Sequence, residues 1–456
     1  MSYLDEAQVE SNCIDWLRSI GYEYVYGPEI APGGESQERD SYGDVVLVKR
    51  LRECVERIHP DVPEAGIDEA LRKVLRISSV SLVENNRNFH WMFTDGVDVS
   101  FMEDGQEKHD KVWLIDREEY SNNEFLVVNQ FTVVEDKKQR RPDVVIFING
   151  LPLVVIELKN PTDENATIQH AYNQLQTYKQ DIPSLFVYNE LMALSDGLLA
   201  KAGTLTSGWD RFMPWRTVDG TTLASEASVQ LEVLIKGVFD KKRFIDYVLN
   251  FIVYEDDGAN IIKKAAAYHQ YRVVNKAIDC TIEATAESGD RRIGVVWHTQ
   301  GSGKSLSMTF YAGKIIKHPE MKNPTVVVIT DRNDLDDQLL GTFAGCKDLL
   351  RQSPVQALSR DDLRQKLNVV SGGVVFTTIQ KFLPDNKGEN HPLLSDRRNI
   401  VVIADEAHRS QYAFINGFAR YMHDALPEAS FIGFTGTPIE SNDRSTPAVF
   451  GDYIDK

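Results

Sequence analysis

Two groups of residues in this chain have types and spacings suited to chemistry on phosphates. In the first group, an apolar run ending at Trp297 leads into the turn His298-Thr299-Gln300-Gly301-Ser302-Gly303-Lys304-Ser305. A glycine-rich turn at a helix start directs backbone N–H groups at a phosphate, while the lysine reaches the β- and γ-phosphates and the serine hydroxyl binds Mg²⁺. We therefore predict a nucleotide-binding loop made by Gly301, Ser302, Gly303, Lys304 and Ser305.

This loop departs from the usual pattern at its first position, where His298 stands in place of glycine. Gly301 and Gly303 still free the backbone where it approaches a phosphate, so we interpret the turn as a variant of the loop. The alternative is an ordinary glycine-rich turn with an incidental Lys-Ser pair.

Two later strand ends carry residues that complement the loop. The apolar run 400–404 is followed by Asp405-Glu406-Ala407-His408, and the run 431–434 is followed by Thr435-Gly436-Thr437. A carboxylate such as Asp405 can hold the Mg²⁺ of a nucleotide, and the next acid, Glu406, can orient and deprotonate the attacking water. Three strands ending in such residues, in this order, indicate a nucleoside triphosphatase.

The second group is an Asp…Glu-x-Lys arrangement on two strands. Asp143 lies near the start of the strand run 141–148, and Glu157 and Lys159 share one face of the strand run 153–159 because side chains alternate along a strand. Two carboxylates and an ammonium on one sheet face form an oxygen-rich Mg²⁺ site with a cation beside it. We predict Asp143 and Glu157 as metal ligands and Lys159 as a catalytic cation of a nuclease. The alternative for Asp143 is a strand-edge acid, and for Lys159 a solvated strand end.

Hairpin register tests this assignment. A two-residue turn at Asn149-Gly150 pairs residue 143 with 156, which places Asp143 and Glu157 on opposite faces. A joint site requires residue 143 opposite 157, and hence a three-residue turn or a bulge near Gly150. Downstream, Gln174 and Tyr178 lie four residues apart in a helical stretch and share a face.

These motifs resemble two known groups of proteins. The three strand ends resemble superfamily 2 helicases and translocases, which implies that Gln270 contacts adenine and that His408, Thr435, Gly436 and Thr437 couple ATP hydrolysis to DNA movement. From its own sequence context, Gln270 is equally an exposed helix residue. Nearly the whole chain also resembles the R subunit of type I restriction–modification enzymes. The resemblance lies in the order of nuclease before motor, in the motif Pro142-Asp143…Glu157-Leu158-Lys159-Asn160 and in the loop from His298.

The second resemblance implies an activity, cofactors and partners. It implies an ATP- and Mg²⁺-dependent endonuclease and translocase subunit, which joins modification (methyltransferase) and specificity subunits and cuts unmodified double-stranded DNA away from the recognised site. Gln174 and Tyr178 would support the nuclease. The family's second motor lobe and C-terminal helical region do not follow the third motif before Lys456, so we expect an N-terminal fragment.

Composition narrows the function class. The net charge of −18 argues against a protein that coats DNA nonspecifically. Local basic residues must then contact DNA, and the best candidate is the run 137–141, for which a solvated loop is an equal alternative. The four cysteines (Cys13, Cys54, Cys280 and Cys346) are scattered and read as reduced thiols of a cytoplasmic protein. No apolar run reaches membrane-spanning length.

The expected fold is α/β in two parts. Residues 1–235 form an endonuclease domain with a mixed sheet and helices, 236–262 a helical linker, and 263–456 the first RecA-like parallel-sheet lobe. Two other functions remain open: a free-standing superfamily 2 helicase–nuclease of DNA repair or phage defence, and an inactive DNA- or partner-binding assembly module. A requirement for modification and specificity subunits distinguishes the first of these from a restriction subunit.

Overall fold

The computed structural model describes residues 6–103, 105–160, 167–299, 301–330, 333–369, 372–382, 393–407, 418–437 and 445–455. The chain forms two compact units. Unit 1 comprises residues 1–252 and 260–268, and unit 2 comprises residues 253–259 and 269–456. No helix in these described ranges is both long enough and apolar enough to cross a lipid bilayer.

The helices and strands up to residue 265 begin and end as follows. The helices are α1 (Glu6–Ser19), α2 (Gly27–Ile30), α3 (Val48–Ile58), α4 (Glu64–Leu75), α5 (Leu82–Asp95), α6 (Ile168–Asp181), α7 (Pro183–Phe186), α8 (Gln230–Val238) and α9 (Lys241–Asn250). The strands are β1 (Glu23–Tyr26), β2 (Val97–Glu103), β3 (Gln106–Val112), β4 (Phe125–Asn129), β5 (Val133–Glu135), β6 (Lys138–Arg140), β7 (Val144–Ile148), β8 (Leu151–Leu158), β9 (Leu191–Ser195), β10 (Ala200–Gly203), β11 (Ile252–Asp256) and β12 (Ile261–Ala265).

Unit 1 is built on a six-stranded mixed sheet in the order β1-β4-β7-β8-β9-β10. The β1–β4 and β8–β9 pairs are parallel, whereas β4–β7, β7–β8 and β9–β10 are antiparallel. Every residue of β4, β7, β8 and β9 is buried. Strands buried on both faces read as continuous apolar runs, so the one charged residue of these four strands, Glu157, stands out. The predicted mixed sheet is confirmed.

A second buried charged group lies in unit 1. Lys263 donates from Nζ to Glu190 Oε2 at 2.7 Å and to the carbonyl of Asn189 at 2.7 Å, and His90 Nδ1 lies 3.0 Å from both Glu190 oxygens. The side chains of Lys263 and Glu190 have no exposed surface. Each charge is therefore compensated by its partner inside the unit.

Unit 2 is a parallel α/β lobe. Its helices are α10 (Tyr268–Thr285), α11 (Lys304–Lys317), α12 (Asn333–Gly345), α13 (Lys347–Leu350), α14 (Arg360–Leu367), α15 (Phe418–Ala425) and α16 (Ser445–Phe450). Its strands are β13 (Arg292–Trp297), β14 (Thr325–Thr330), β15 (Val355–Gln356), β16 (Gly373–Thr378), β17 (Ile400–Asp405), β18 (Ser430–Thr435) and β19 (Tyr453–Asp455). They form one sheet in the order β15-β16-β14-β17-β18-β13-β19, and every pair is parallel. The predicted parallel-sheet lobe is confirmed.

One predicted element is corrected. The segment 236–262, expected to be a helical linker, contains the end of α8 and all of α9, but then β11 and the start of β12. The helical interpretation is wrong after Asn250, because Ile252-Val253-Tyr254 is a run of β-branched and aromatic residues that favours a strand.

Candidate nuclease and nucleotide sites

The β7–β8 hairpin contains the register shift that a joint acidic site requires. Its turn, Asn149-Gly150, has two residues, both at positive φ (50° and 78°). Beside the turn, Ile148 pairs with Leu151 and Phe147 with Pro152, but Ile146 pairs with Val154 and Val144 with Ile156. The extra residue, Leu153, forms a bulge in β8. The predicted bulge is confirmed.

Continuing the shifted register by one residue sets Asp143 opposite Glu157, on the same face of the sheet. Asp143 Oδ2 accepts a hydrogen bond from the backbone N–H of Leu158 at 2.7 Å. Lys159 Nζ donates to Glu157 Oε1 at 2.7 Å and to the carbonyl of Leu158 at 2.9 Å. Asp143, Glu157 and Lys159 thus lie together, and the convergence of both carboxylates on one metal ion stays a prediction.

Burial dominates the electrostatics of this group. Burial, opposed by the Leu158 N–H and by Lys159, raises the pKa of Asp143 to about 6. Burial and then repulsion from Asp143 raise the pKa of Glu157 to about 8, although Lys159 opposes both effects. The pKa of the Lys159 ammonium is also raised: burial acts to lower it, but the attraction of Glu157 prevails. The one cation therefore offsets only part of the cost of ionising both carboxyl groups, which is the condition under which a bound metal ion is favoured.

The chemistry of the donor set fits a divalent cation. Glu157 has no exposed surface, and its Oε2 atom has no hydrogen-bond partner among the described residues. An unpaired buried carboxylate oxygen is costly unless a cation or donor reaches it. No cluster of three or more His, Cys, Asp or Glu side chains with metal-binding geometry occurs in the described ranges. Asp143 and Glu157 would then supply two oxygens, with water and backbone oxygens completing the Mg²⁺ shell.

Helix α6 lies beside this group. Gln174 donates a hydrogen bond from Nε2 to the hydroxyl of Tyr178, one turn further along α6. Burial, followed by the charge of Glu157, raises the pKa of Tyr178 well above its usual range, so this phenol stays protonated. The predicted shared face of Gln174 and Tyr178 is confirmed, and their support of catalysis stays a prediction.

Helix α1 contributes a further residue, Glu10, which the sequence allows to face the nuclease site but favours in a solvated position. Glu10 accepts hydrogen bonds from Asn129 Nδ2 and Gln130 Nε2, each at 2.6 Å. The backbone N–H of Gln130 donates to the carbonyl of Asp143 at 3.0 Å. These contacts join α1 to the end of β4 beside the acidic site. The signal in the sequence was weak, because an acid on an amphipathic helix is usually solvated.

The predicted nucleotide loop connects β13 to α11. Gly301 and Gly303 have φ of 81° and 82°, a region that glycine adopts without steric strain. Gly303 is the N-cap residue of α11, so the helix N-terminus faces the loop. Gln270 is buried and donates from Nε2 to the carbonyl of Gly303 at 3.1 Å. The exposed alternative for Gln270 is therefore wrong, and its contact with adenine stays a prediction.

Lys304, the first residue of α11, meets the acidic pair at the end of β17. Its Nζ lies 2.8 Å from Asp405 Oδ1 and also pairs with Glu406. Glu406 has φ of 51°, a conformation that non-glycine residues adopt rarely and that marks a constrained turn. The fold thus brings together the lysine and both acids from positions about one hundred residues apart, because β13 and β17 flank β18.

The third motif is tied to the second. Gly436 donates its backbone N–H to Glu406 Oε2 at 3.5 Å. Thr435 accepts from the N–H of Thr437 at 3.1 Å and donates to its carbonyl at 2.9 Å. Glu406 and the turn 435–437 are therefore in direct contact. His408 lies outside the described residues.

Comparison with known proteins identifies the class. Residues 3–211 match the type I restriction enzyme R protein N terminus, and residues 269–456 match the SWI2/SNF2 ATPase. An R-protein N-terminal region joined to an SWI2/SNF2 ATPase implies nucleotide use by unit 2.

Curated relatives are similar to this chain across both matched regions. The type I restriction enzyme HindI endonuclease subunit of Haemophilus influenzae is 47% identical over 99% of this chain and 44% of that protein. The putative type I restriction enzyme MjaIXP endonuclease subunit of Methanocaldococcus jannaschii is 39% identical over 98% of this chain and 44% of that protein. Over nearly its whole length the chain is similar to type I restriction enzyme endonuclease (R) subunits, and it spans less than half the length of these relatives.

A solved fragment of a putative HsdR subunit of a type I restriction enzyme from Vibrio vulnificus is also similar. It is 17% identical, and the match covers 72% of this chain and 54% of that chain with a TM-score of 0.28.

Proposed function

We propose that this chain supplies the nuclease and the first ATPase lobe of a type I restriction enzyme. The complete enzyme would hydrolyse ATP to translocate double-stranded DNA and would cut unmodified DNA away from the recognised site. It would act in the cytoplasm with modification (methyltransferase) and specificity subunits. The observation that carries the proposal is the bulge at Leu153, which sets Asp143 opposite Glu157 in a hairpin whose turn would otherwise separate them.

In the nuclease, each side chain has a distinct task. Asp143 and Glu157 would hold Mg²⁺, which when bound stabilises negative charge on the phosphodiester and makes water more acidic. Lys159, 2.7 Å from Glu157, opposes the effect of burial and favours the ionised carboxylate that Mg²⁺ would bind. With 12% of its side chain exposed, Lys159 can also reach toward solvent, where its ammonium would orient a water molecule or the scissile phosphate.

In the ATPase, the ion pairs of Lys304 define a resting arrangement. Lys304 contacts both Asp405 and Glu406. Nucleotide phosphates would compete for the same ammonium, because phosphate and carboxylate oxygens are equivalent acceptors for it. Glu406 would then be released to accept a proton from the attacking water, and its contact with Gly436 would pass that change to the third motif.

A basic hairpin beside the nuclease group would contact DNA. Strands β5 and β6 join through the tight turn Asp136-Lys137, and the chain continues through the exposed Arg141 to Asp143. Arg140 pairs with Asp181 of α6 at 2.7 Å, which braces the hairpin on the helix that carries Tyr178. Lys137 and Arg141 are solvent-exposed on this braced hairpin, at most about 13 Å apart for four extended residues. That distance suits contacts to phosphates of one DNA backbone, despite the nearby charge of Asp136.

The nuclease is tested in the complete enzyme, assembled with its modification and specificity subunits on unmodified DNA. Glu157→Ala or Lys159→Ala should abolish cutting and leave DNA-stimulated ATP hydrolysis within about twofold of wild type. Two exposed residues of unit 1, Glu107 and Lys49, provide the matched controls Glu107→Ala and Lys49→Ala, which should change neither activity. Equal loss of both activities in the Glu157 and Lys159 variants would indicate a folding role and refute the site.

Two further measurements separate the alternatives. Cutting and ATP hydrolysis without modification and specificity subunits would favour a free-standing helicase–nuclease.

For the hairpin, replacing Lys137 and Arg141 together by alanine should lower the slope of log affinity against log salt by about two, since each phosphate contact contributes about 0.9. An unchanged slope would remove the hairpin from the DNA surface.

A further inference from the structure

The first position of the nucleotide loop, where the usual pattern has glycine, is occupied by a histidine for a structural reason. Gly301 and Gly303 need positive φ, but His298 does not adopt it, so a side chain at this position brings no backbone strain. The His298 side chain is buried, with 7% of the residue exposed. A buried imidazole inside a phosphate loop is a packing element, and its neighbours show what it holds.

The His298 ring contacts both helices that border the loop. Its centroid lies 5.6 Å from that of His269 in α10, with an edge-to-face angle of 66°. Its Nδ1 atom lies 3.4 Å from Ser307 Oγ in α11. Its backbone N–H donates to the carbonyl of Thr435 at 3.0 Å. His298 therefore links the loop to α10, α11 and the third motif.

His269 in turn contacts the loop backbone. Its Nε2 atom lies 3.3 Å from the carbonyl oxygen of Ser302. A carbonyl is only an acceptor, so Nε2 carries the proton in this contact. The next residue of α10, Gln270, donates to the next carbonyl of the loop, that of Gly303. Two successive side chains of α10 thus hold two successive loop carbonyls.

These contacts decide where the loop N–H groups point. In a planar trans peptide the C=O and the N–H that follows it point in opposite directions. Holding the Ser302 carbonyl toward His269 turns the N–H of Gly303 away from α10. The Gly303 carbonyl accepts both from Gln270 and from the N–H of Ser307 at 3.0 Å, the first hydrogen bond of α11, and these two contacts orient the N–H of Lys304. These are the N–H groups of a helix N-terminus, which bind phosphate oxygens.

We infer that His269 and His298 are positioning residues of the phosphate loop. His269 holds the Ser302 carbonyl so that the Gly303 N–H faces the phosphates, and His298 packs against the His269 ring and keeps it in place. Neither residue touches the reacting atoms. This inference rests on the proposed function, in which the loop binds the phosphates of ATP.

The test uses the complete enzyme with its partner subunits and DNA, and measures KM for ATP and kcat of DNA-stimulated hydrolysis. His269→Ala should raise KM about tenfold with kcat within about twofold, because the loss is one of ground-state and transition-state binding alike. His269→Gln restores an N–H donor at the same position along the side chain and should bring KM to within about threefold of wild type. His318→Ala, at the opposite end of α11, is the control in the same lobe and should leave KM unchanged.

His298→Gly restores the usual loop pattern and provides the second variant. If the two histidines act as one unit, His298→Gly should raise KM, and the His269→Ala/His298→Gly double variant should be no worse than His269→Ala alone. An unchanged KM in His269→Ala, or a His269→Gln variant as impaired as His269→Ala, would overturn the inference. Absence of DNA-stimulated hydrolysis in the wild-type enzyme would instead refute the proposed function, so the two failures are distinguishable.

Discussion

Replacing Glu157 by glutamine should stabilise the metal-free protein at high pH. Burial and the neighbouring Asp143 raise the pKa of Glu157 from 4.5 to about 8 in the folded chain. Between these values the unfolded chain has released the proton and the folded chain retains it. The folded state binds more protons, so the free energy of unfolding falls as pH rises through this window and levels off above about pH 8. Glutamine mimics the protonated acid at every pH and is free of this loss.

The magnitude follows from the same pKa values. At about 1.36 kcal/mol per pH unit, the difference between 4.5 and about 8 corresponds to about 5 kcal/mol. About 4 kcal/mol of this is expected between pH 5 and pH 9, since the unfolded carboxyl is already largely ionised at pH 5. Glu157 has no exposed surface, so solvent screening does not reduce the figure. The value of about 5 kcal/mol is an upper limit, because Asp143 titrates beside Glu157.

The assay is chemical unfolding of the 456-residue chain at pH 5 and pH 9 with a chelator, followed by tryptophan fluorescence. Every tryptophan except Trp297 lies within residues 1–252, so the signal reports on unit 1. The advantage of Glu157→Gln over wild type should grow by several kcal/mol from pH 5 to pH 9, and Mg²⁺ at pH 9 should stabilise wild type more than the variant. Glu107→Gln, at an exposed position, should show neither effect. A pH-independent difference for Glu157→Gln would show that the buried carboxylate is ionised without cost and would refute the reasoning.

Three further predictions concern other parts of the molecule. Lys304→Ala should remove DNA-stimulated phosphate release and DNA cleavage together. Glu406→Gln should bind ATP with near wild-type affinity and hydrolyse it at least about a hundredfold more slowly. Normal ATP hydrolysis in either variant would contradict the role given to the substituted residue. Gly150→Ala should lower the free energy of unfolding by about 2 kcal/mol or more. Gly150 has φ of 78°, and an added Cβ would lie 2.4 Å from the carbonyl oxygen of Leu47. A thermal unfolding curve that matches wild type would contradict this prediction. Lys263→Met should destabilise unit 1 by about 3–5 kcal/mol, because it leaves Glu190 buried without the Lys263 ammonium, and adding Glu190→Gln should recover much of the loss. An unchanged free energy of unfolding in Lys263→Met would show that water reaches the pair.

Local chemistry was readable from the sequence alone. The apolar run 400–404 is rich in β-branched residues and the run 431–434 has two aromatic residues, compositions that favour buried strands. Polar residues at their ends mark the edge where a parallel sheet binds ligands. The mixed sheet of unit 1 and the parallel lobe of unit 2 therefore agree with expectation, whereas the meeting of Lys304 with Asp405 and Glu406 is shown only by the fold. The helical assignment failed after Asn250 because a short apolar segment has no period that separates helix from strand.

The sequence also showed that the β7–β8 hairpin needs one extra residue for a joint site, but not where that residue lies. Alternation along strands shows that Asp143 and Glu157 can share a face only if one residue is extra. It does not say which residue, because a bulge is stabilised by packing on both sides of the strand. The fold places it at Leu153, beyond a regular two-residue turn.

Contacts between distant segments were decided by the tertiary structure. Glu10 meets Asn129 and Gln130, and His269 meets the loop that begins at His298, across separations that no local pattern records. An isolated acid or histidine on a helix has the same periodicity whether it faces water or a catalytic strand. Residue type and spacing thus indicated the chemistry that we propose for this protein, and the packing of helices on the two sheets decided which side chains lie against those residues.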